Sequence, residues 1–153
     1  MLTKKSKYGI KAALYLAAHA GRAPIAVGEV AQKENIPRKF LEAILLDLKR
    51  QGVLGSKRGK AGGYYLRHKP DEITVGQIIR TLDGPLALIP CVSQTAYARC
   101  EECSDEATCS VRIAMKRVRD ATARILDGMT LKNLTAAASG QRRGIVRAKP
   151  KTR

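Results

Sequence analysis

The sequence predicts a mainly α-helical protein with one small β-hairpin. Residues 36–50 repeat apolar side chains every three or four positions, the period of a helix with one buried face. Residues 53–66 contain two short runs of strand-forming residues, and Gly59, Gly62 and Gly63 supply the bend between them, which is typical of a hairpin. Residues 108–127 carry a second helical pattern with heptad spacing. The order of helix, hairpin and long helix organises the rest of the chain.

The helix predicted over residues 36–50 starts near Pro37, because a missing N–H group is tolerated in the first turn, and ends at Gly52, which favours positive φ. Its predicted buried stripe is Phe40, Leu41, Ile44, Leu45 and Leu48. Its outward face carries Arg38, Lys39, Glu42 and Lys49. The hairpin loop adds Lys57, Arg58 and Lys60. A basic helix beside a basic loop is the layout of a winged helix-turn-helix, whose helix enters the major groove and whose loop contacts the backbone or minor groove.

The chain before this helix completes a predicted DNA-binding domain over residues 1–69. Residues 3–20 predict a first helix that ends at Gly21, with an apolar face of Ile10, Ala13, Leu14, Ala17 and Ala18. A short helix around residues 27–34 and a tight turn at residues 35–37 follow, which is helix-turn-helix spacing. The alternative is an ordinary helix and hairpin whose charges only keep the surface hydrated.

The charge distribution favours DNA as the partner. The chain has a formal net charge of +16. Residues 1–69 contain 15 Lys and Arg against 4 Asp and Glu, a net of +11, whereas residues 70–139 contain 8 against 9. Residues 140–153 contain six basic residues and no acidic one. The positive charge is therefore concentrated in the predicted DNA-binding domain and the tail, where charge that only served solubility would be spread more evenly.

Several classes of protein do not match the sequence. The N-terminus lacks the apolar run of a signal peptide, and no segment has the roughly 20 apolar residues of a membrane span, so we expect a soluble cytoplasmic protein with no membrane partner. No Ser–His–Asp order, acid pair or phosphate-binding glycine loop indicates an enzyme. His19 and His68 are interpreted as surface or packing residues.

Residues 70–107 are predicted to form a connecting helix and a cysteine-bearing loop. Thr74 is a good N-cap, with Gln77 three positions later as its capping-box partner. The helix is predicted to end at Gly84-Pro85. Residues 86–107 show no convincing period and contain three of the four cysteines, and a loop of that length is usually functional or disordered.

Residues 108–138 are predicted to contain a dimerisation helix and a short last helix over residues 131–138. The heptad seam of the dimerisation helix is Val111, Ala114, Val118, Ala121 and Ile125. Because its other faces are polar, a self-pairing helix in a homodimer is favoured over packing within one chain. Residues 139–153 are interpreted as a disordered basic tail, since they combine Gly, Pro and dense charge.

The cysteines follow the spacing C-x8-C-x2-C-x5-C at Cys91, Cys100, Cys103 and Cys109. Thiolates are soft ligands that suit an iron–sulfur cluster, zinc or copper, and the start of the following helix favours an anionic thiolate at Cys109. Two alternatives remain open: a thiol–disulfide switch, and inert reduced cysteines.

The chain resembles a known family through five segments, which together span residues 1–135. They read LTKKSKYGIKAALYLA, IPRKFLEAILLDLKRQGVL, SKRGKAGGYYL, ITVGQIIRTLDG and ILDGMTLKNL. They are similar to the Rrf2 family of bacterial winged-helix regulators. That group includes the iron–sulfur cluster regulator, the nitric-oxide-sensing repressor, the rhizobial iron regulator and the cysteine-metabolism repressor. The resemblance implies a homodimer in which the two long helices cross and each subunit binds half of a palindromic operator.

The resemblance also implies site residues by position. The groove-facing start of the recognition helix corresponds to Arg38, Lys39, Glu42 and Ala43. Arg58 takes the wing position that enters the minor groove in the iron–sulfur cluster regulator. Ala43 replaces a polar residue of that regulator, so its base preference does not transfer.

Cluster ligands follow from the same resemblance. Members of the family that bind a cluster use three cysteines here, which correspond to Cys91, Cys103 and Cys109, with Cys100 as an additional thiol. Arg112 stands where the iron–sulfur cluster regulator has its histidine ligand, and Tyr8 stands where the nitric-oxide sensor has an aspartate. The fourth ligand is then Cys100, a group from the partner chain or an external ligand, and the cluster type, two-iron or four-iron, stays open.

These observations combine into one hypothesis, a homodimeric DNA-binding transcriptional regulator whose cysteine loop senses iron–sulfur, redox or nitrosative status. A first alternative is a regulator of the same family without a cluster, like the cysteine-metabolism repressor, that responds to a partner protein or a thiol metabolite. A second alternative, from another class, is a zinc- or redox-switched protein-interaction module. Steep salt dependence of binding would distinguish DNA recognition from that module.

Overall fold

A computed structural model describes residues 2–22 and 24–146, with side chains up to Gly140. The elements are α1 (Lys4–Ala18), α2 (Val27–Glu34), α3 (Arg38–Arg50), β1 (Leu54–Lys57), β2 (Gly63–Leu66), α4 (Val75–Asp83), α5 (Ser110–Gly128) and α6 (Leu131–Val146). Two short 3-10 turns cover Ala20–Arg22 and Pro90–Val92. The predicted class is confirmed, since the protein is mainly helical with one antiparallel hairpin.

Helices α1, α2 and α3 form the helix-turn-helix around an aliphatic core. Asn35 ends α2 with a φ of 52°, a left-handed conformation that Asn tolerates better than most residues. The buried face of α3 is Leu41, Ile44, Leu45 and Leu48. The prediction that Phe40 belongs to this stripe is wrong, because those four side chains already fill the inward face. Phe40 is 39% exposed and lies edge-on against Tyr8.

The face that α1 buries also differs from the predicted one. Its buried residues are Ser6, Gly9, Ala12, Ala13 and Leu16. A Cβ at Gly9 would lie 2.2 Å from Cδ1 of Leu82, so glycine allows α1 to approach α4 closely. This close approach turns the small residues inward and leaves the larger Ile10 and Leu14 only partly buried at the edge of the core.

The wing is a two-stranded hairpin held against the helix-turn-helix. Strand β1 pairs with β2 in antiparallel register, from Leu54 opposite Leu66 to Lys57 opposite Gly63. The segment before α2 adds a third short pairing, since Ile25 and Tyr64 exchange backbone hydrogen bonds of 2.9 and 2.8 Å. A Cβ at Gly63 would lie 2.1 Å from the Ile25 carbonyl oxygen, so glycine is required for this approach. The wing base is therefore fixed relative to α1 and α2.

Helix α4 joins the DNA-binding half to the C-terminal helices. The Thr74 side chain accepts a hydrogen bond from the Gln77 N–H at 3.2 Å, which confirms the predicted N-cap. The chain returns to this point after α5, because Val75 N–H donates to the Met129 carbonyl and Leu131 N–H donates to the Ile73 carbonyl. Leu131 is fully buried in the core that the first four helices share. The start of α4 and the start of α6 are therefore attached to the same core.

Helix α5 extends along the outside of this body and buries none of its own residues. All five predicted seam residues are exposed in the single chain: Val111, Ala114, Val118, Ala121 and Ile125. Near its C-terminus, Asp127 accepts two hydrogen bonds from the Arg80 guanidinium, at 2.6 and 2.9 Å. Helix α5 is thus attached to α4 on one side and presents an unpaired apolar seam on another.

The last helix is longer than predicted. Helix α6 continues to Val146, so the first part of the segment predicted to be disordered, residues 139–146, is helical. Residues 136–138 are alanines and residues 141–143 are straight-chain helix formers, which offsets the cost of Gly140 and Gly144, about 1 kcal/mol each. The remaining part of the predicted tail, residues 147–153, lies outside the described residues. Among the described helices, none is long and apolar enough to cross a membrane.

Candidate nucleic-acid interface and cysteine cavity

The start of α3 presents the predicted groove-reading residues. Arg38, Lys39, Glu42 and Ala43 are all exposed, because the heptad-like stripe on the other side of α3 is buried in the core. Arg38 Nε donates to Glu42 Oε1 at 3.0 Å, one turn along the helix. This pair holds Arg38 along the helix surface while Lys39 and Ala43 keep free faces.

The tip of the wing presents the predicted backbone-contacting residues. Lys57, Arg58 and Lys60 are exposed around the turn that joins β1 to β2. Gly59 has a φ of 108°, which a side chain would make unfavourable, and a Cβ at Gly62 would lie 2.3 Å from the Lys57 carbonyl oxygen. Glycine at these positions gives a tight tip in which three basic side chains point outward.

The basic surface is not neutralised by the protein itself. Each of the four acidic residues in residues 1–69 already has a basic partner: Glu29 with Arg22, Glu34 with Lys11, Glu42 with Arg38, and Asp47 with Lys5 and Arg50. Within residues 2–22 and 24–146, Lys39, Lys49, Lys57, Arg58 and Lys60 form no ion pair with a carboxylate. Unpaired, exposed cations on a helix and an adjacent wing are suited to binding phosphate groups.

The four cysteines line one open cavity of about 470 Å³, beside the N-terminus of α5. Cys91 is buried in the 3-10 turn Pro90–Val92, whereas Cys100 is exposed. The backbone turns between Cys100 and Cys103, since Cys103 N–H donates to the Cys100 carbonyl at 3.3 Å. The fold therefore brings together thiols that are 18 residues apart at their extremes, from Cys91 to Cys109.

Two of these thiols have shifted acidity. Cys109 is the N-cap of α5, and the backbone N–H groups of Arg112 and then Val111 lower the pKa of its thiol, although neither makes a hydrogen bond of good geometry to the sulfur. Burial raises the pKa of Cys103, and the neighbouring Cys109 raises it further. The Cys103 Sγ donates to the Asp105 carbonyl at 3.3 Å. Cys109 is thus the better nucleophile and metal ligand of the two at neutral pH.

Arg112 lies on the wall of the cysteine cavity. Its nearest carboxylate is that of Glu106, 3.7 Å from Nε, which is too long for a hydrogen bond. Glu106 itself accepts a hydrogen bond from the Tyr97 hydroxyl at 2.7 Å. Within the described part of the chain, the buried Nε of Arg112 has no hydrogen-bond partner. Arg112 is therefore ion-paired with Glu106 at the cavity wall, while its buried Nε makes no hydrogen bond within the described residues.

The cysteines are gathered but do not form a ready-made ligand set. Over the described residues, no three Cys, His, Asp or Glu side chains are placed so that they could hold a metal ion. The chemistry of four soft thiols on one cavity fits an iron–sulfur cluster, whereas their placement would have to contract around it. The four thiols therefore have the chemistry of cluster ligands, but the loop that carries them is open.

Comparison with known proteins identifies the family. A family model described as an iron-dependent transcriptional regulator, Rrf2, matches residues 2–137. The chain belongs to the Rrf2 family. It is 39% identical over 142 residues to an rrf2-like HTH-type transcriptional regulator of Rhodobacter capsulatus, a match that covers 91% of this chain and 95% of the relative. Family membership confirms the predicted resemblance and the absence of enzymatic function in this family of regulators, and it decides against the protein-interaction module.

Solved Rrf2 structures share the fold. The structure of CymR, the global cysteine regulator of Bacillus subtilis, aligns with a TM-score of 0.74 at 32% identity and covers 90% of this chain and 97% of CymR. The structure of T. potens IscR aligns with a TM-score of 0.72 at 26% identity and covers 90% of this chain and 88% of IscR. The chain is therefore a winged helix-turn-helix transcriptional regulator of the Rrf2 family that binds DNA.

Sequence patterns missed some residues that position this Rrf2 protein's site. Ile25 extends the wing, Glu106 and Tyr97 order the cysteine loop, and Arg119 contacts the turn that carries Cys91. Ile25 and Tyr97 lie in segments without a period, so no pattern could have identified them. Arg119 offered one signal, because it lies seven residues after Arg112 and therefore on the same face of α5.

Proposed function

We propose that the protein is a homodimeric, sequence-specific regulator of transcription whose operator affinity depends on the state of its four thiols. The observation that carries this proposal is the position of the cysteine cavity. Val111 lines the cavity and is also the first residue of the exposed seam of α5. A group that contracts the cavity would therefore act on the helix through which two subunits are proposed to pair.

DNA contacts are assigned from exposure and charge. The start of α3, through Arg38, Lys39, Glu42 and Ala43, would read base edges in the major groove, and the wing, through Lys57, Arg58 and Lys60, would contact phosphates and the minor groove. The ion pair between Arg38 and Glu42 limits the positions that the Arg38 guanidinium can reach. The fixed base of the wing supports this assignment, because a rigid wing keeps its distance from α3.

Homodimer formation is supported by the unpaired surface of α5. Val111 is 62% exposed and Ile125 is 56% exposed, at the two ends of a seam that spans two heptads. A second copy of the same seam would cover these side chains, and the alanines between them would allow the two helices to approach closely. Two subunits joined this way would present two recognition helices to the halves of a palindromic operator.

An iron–sulfur cluster is the proposed occupant of the cysteine cavity. Cys91, Cys103 and Cys109 would supply three thiolates, and Cys100 is the thiol within the chain that could supply a fourth. The cluster would make the protein responsive to oxygen, to nitric oxide and to iron limitation. Arg112, on the cavity wall, would place its positive charge near the bound thiolates.

A second candidate keeps the DNA function but uses the thiols without a cluster. It is favoured by the open geometry of the loop, in which no three ligands converge within the described residues. Two solved structures of Staphylococcus aureus CymR, one of them of the oxidized form, are also similar to this chain, at 30% identity each. In this version, oxidation of the thiols, a thiol metabolite or a partner protein would provide the signal.

Anaerobic purification separates these two candidates. Protein from iron-replete cells is expected to be coloured and to contain iron and acid-labile sulfide in equal amounts, two or four of each per subunit. Replacement of Cys109 by Ala should abolish the absorbance, because Cys109 is one of the three proposed cluster thiolates and the helix N-terminus lowers its pKa. A colourless, iron-free preparation with four titratable thiols would contradict the cluster and favour the second candidate.

A further inference from the structure

The turn that carries Cys91 is fastened to the middle of α5 by one side chain. Arg119 Nη1 donates a hydrogen bond to the Val92 carbonyl oxygen at 2.7 Å. Its Nε donates to Asp120 Oδ1 at 2.8 Å, and its Nη2 donates to the same oxygen. The Arg119 side chain is only 12% exposed and Val92 is buried, so the bond to the Val92 carbonyl is largely shielded from water, whereas Asp120 is 45% exposed. One guanidinium thus bridges α5 and the cysteine loop.

This arrangement differs from an ordinary surface ion pair. Adjacent residues on a helix do not face each other, so Arg119 and Asp120 gain little from pairing alone. The Nε and Nη2 groups of the planar guanidinium donate to Asp120. The Nη1 group points away from α5 and donates to the backbone of another segment. Hydrogen bonds from a charged donor are about twice as strong as neutral ones, and burial reduces their screening.

The carbonyl that accepts the Arg119 hydrogen bond lies next to a cysteine. Val92 directly follows Cys91, and both are buried, at 4% and 7% exposure. A bond to the Val92 carbonyl fixes the end of the short turn and therefore the place of the Cys91 sulfur. The other three cysteines lie in the loop and at its junction with α5, so they depend on different contacts.

We propose that Arg119, oriented by Asp120, is a positioning residue that holds the Cys91 thiol against α5, within the cavity that the other three cysteines line. This inference rests on the proposed sensing function for its purpose. Arg119 is adjacent to Val118, a seam residue on the exposed side of α5. A displacement of the Cys91 turn would therefore be transmitted to α5 beside the proposed subunit contact.

Alkylation of the full-length, reduced and metal-free protein tests this inference. Under anaerobic conditions, the rate of N-ethylmaleimide addition is measured at each cysteine by proteolysis and mass spectrometry, with exposed Cys100 as the internal reference. Arg119→Met should raise the ratio of the Cys91 rate to the Cys100 rate about tenfold or more, as expected when a charge-assisted hydrogen bond that restrains a buried turn is lost. Because the exposed Cys100 in the same sample is the reference, a rise in the ratio reports opening of the Cys91 turn.

A control variant of the same helix and two milder variants of the bridge accompany Arg119→Met. Arg117→Met changes an exposed arginine of the same helix and should leave the ratio unchanged. Asp120→Asn keeps Arg119 but weakens its orientation, and should give a smaller rise than Arg119→Met. If Arg119→Met loses its helical circular dichroism, Asp120→Asn and Arg119→Lys decide the question. Ratios within twofold of wild type in the folded variants would overturn the proposal.

The outcome is independent of the cluster. If wild-type protein binds no iron, the cluster proposal fails, whereas the alkylation ratio still shows whether Arg119 holds Cys91. If wild-type protein binds iron, Arg119→Met should also lower the iron and sulfide content per subunit, while Arg117→Met should not. A variant with a raised alkylation ratio and normal iron content would contradict the positioning role in cluster binding.

Discussion

Two sets of side chains account for the proposed function: the cations of the DNA-binding half and the thiols of the cysteine cavity. On the DNA side, the acidic residues of the first domain are all paired, and the pairs leave the cations of the wing tip and Lys39 and Lys49 of α3 available for phosphates. In the cysteine cavity, the start of α5 stabilises one thiolate while burial disfavours another. Arg38 and Lys39 lie in the first turn of α3, and Cys109 is the N-cap of α5, so both sites depend on where a helix begins.

Removal of two cations should weaken DNA binding in a salt-dependent way. The Lys39→Ala, Arg58→Ala double variant should lose operator affinity and lower the slope of log K against log salt concentration, by about 1 for each removed cation that contacts a phosphate. Fluorescence anisotropy over a series of salt concentrations measures this slope. Lys132→Ala, far along the chain on α6, is the matched control. An unchanged slope in a folded double variant would contradict the assignment of the interface.

The thiols should titrate in a defined order. Because the helix N-terminus lowers the pKa of Cys109 and burial raises that of Cys103, the thiolate of Cys109 forms at lower pH. In metal-free protein, the rate of iodoacetamide addition at Cys109 should reach half its plateau below the pH of an ordinary thiol, and at Cys103 above it. Mass spectrometry of quenched samples from pH 6 to 10 gives both profiles, and the reverse order would refute this account of the cavity.

At the scale of elements, rigid contacts hold the wing and α5 at fixed positions on the core. The Gly63 backbone meets the Ile25 carbonyl, and Gly76 leaves room for Asp127, whose Oδ1 would lie 2.1 Å from a Cβ at that position. Side chains at these glycines would meet a backbone carbonyl in one case and a paired carboxylate in the other. Glycine therefore determines how closely elements approach, a role that no periodic pattern reveals.

Gly63→Ala should detach the base of the wing. The added methyl group collides with backbone that cannot move without breaking the Ile25–Tyr64 pairing, so the free energy of unfolding should fall by about 1–3 kcal/mol. Chemical denaturation measures the loss, and operator affinity should fall with it. Gly21→Ala provides the control, because a Cβ there meets nothing within 4 Å. Equal stability of the two variants would show that the wing is not held in this way.

The elements also show how far a sequence can be interpreted. The helix Arg38–Arg50, the hairpin and the Thr74 cap all follow from period and turn chemistry, and they are present, whereas the pairing of the exposed α5 seam stays a prediction. Phe40 and the end of α6 were mispredicted, because tertiary packing chooses which apolar residues are covered and because helix ends depend on small differences in propensity. The Arg119 bridge joins residues 27 apart through a backbone carbonyl, a contact that no spacing encodes.

For the whole molecule, the proposed function requires two subunits. Helix α5 contacts the Cys91 turn through Arg119 and α4 through Asp127, and its apolar seam is exposed. The cavity, the Arg119 bridge and the seam lie on this one helix. A change in the thiols is therefore expected to alter the distance or angle between two recognition helices rather than either helix itself.

A charge in the seam should separate the subunits. Val118→Glu places a carboxylate at the centre of the proposed contact, where its burial without a partner should raise the dimer dissociation constant about a hundredfold or more. Sedimentation velocity over a concentration series measures this constant. Lys116→Glu, on the opposite side of α5, should leave the dimer intact. A wild-type protein that is monomeric at all concentrations, or a Val118→Glu variant that dimerises normally, would contradict the proposed pairing.

The central claim is that the state of the thiols controls operator affinity. An operator selected from a random duplex library is titrated by anisotropy, at one salt concentration, with anaerobic iron-loaded protein and with the same preparation after removal of the metal. The account predicts a palindromic operator and a change in dissociation constant of about tenfold, within the usual range of coupling between two sites. Equal affinity of the two forms for the same operator would contradict it.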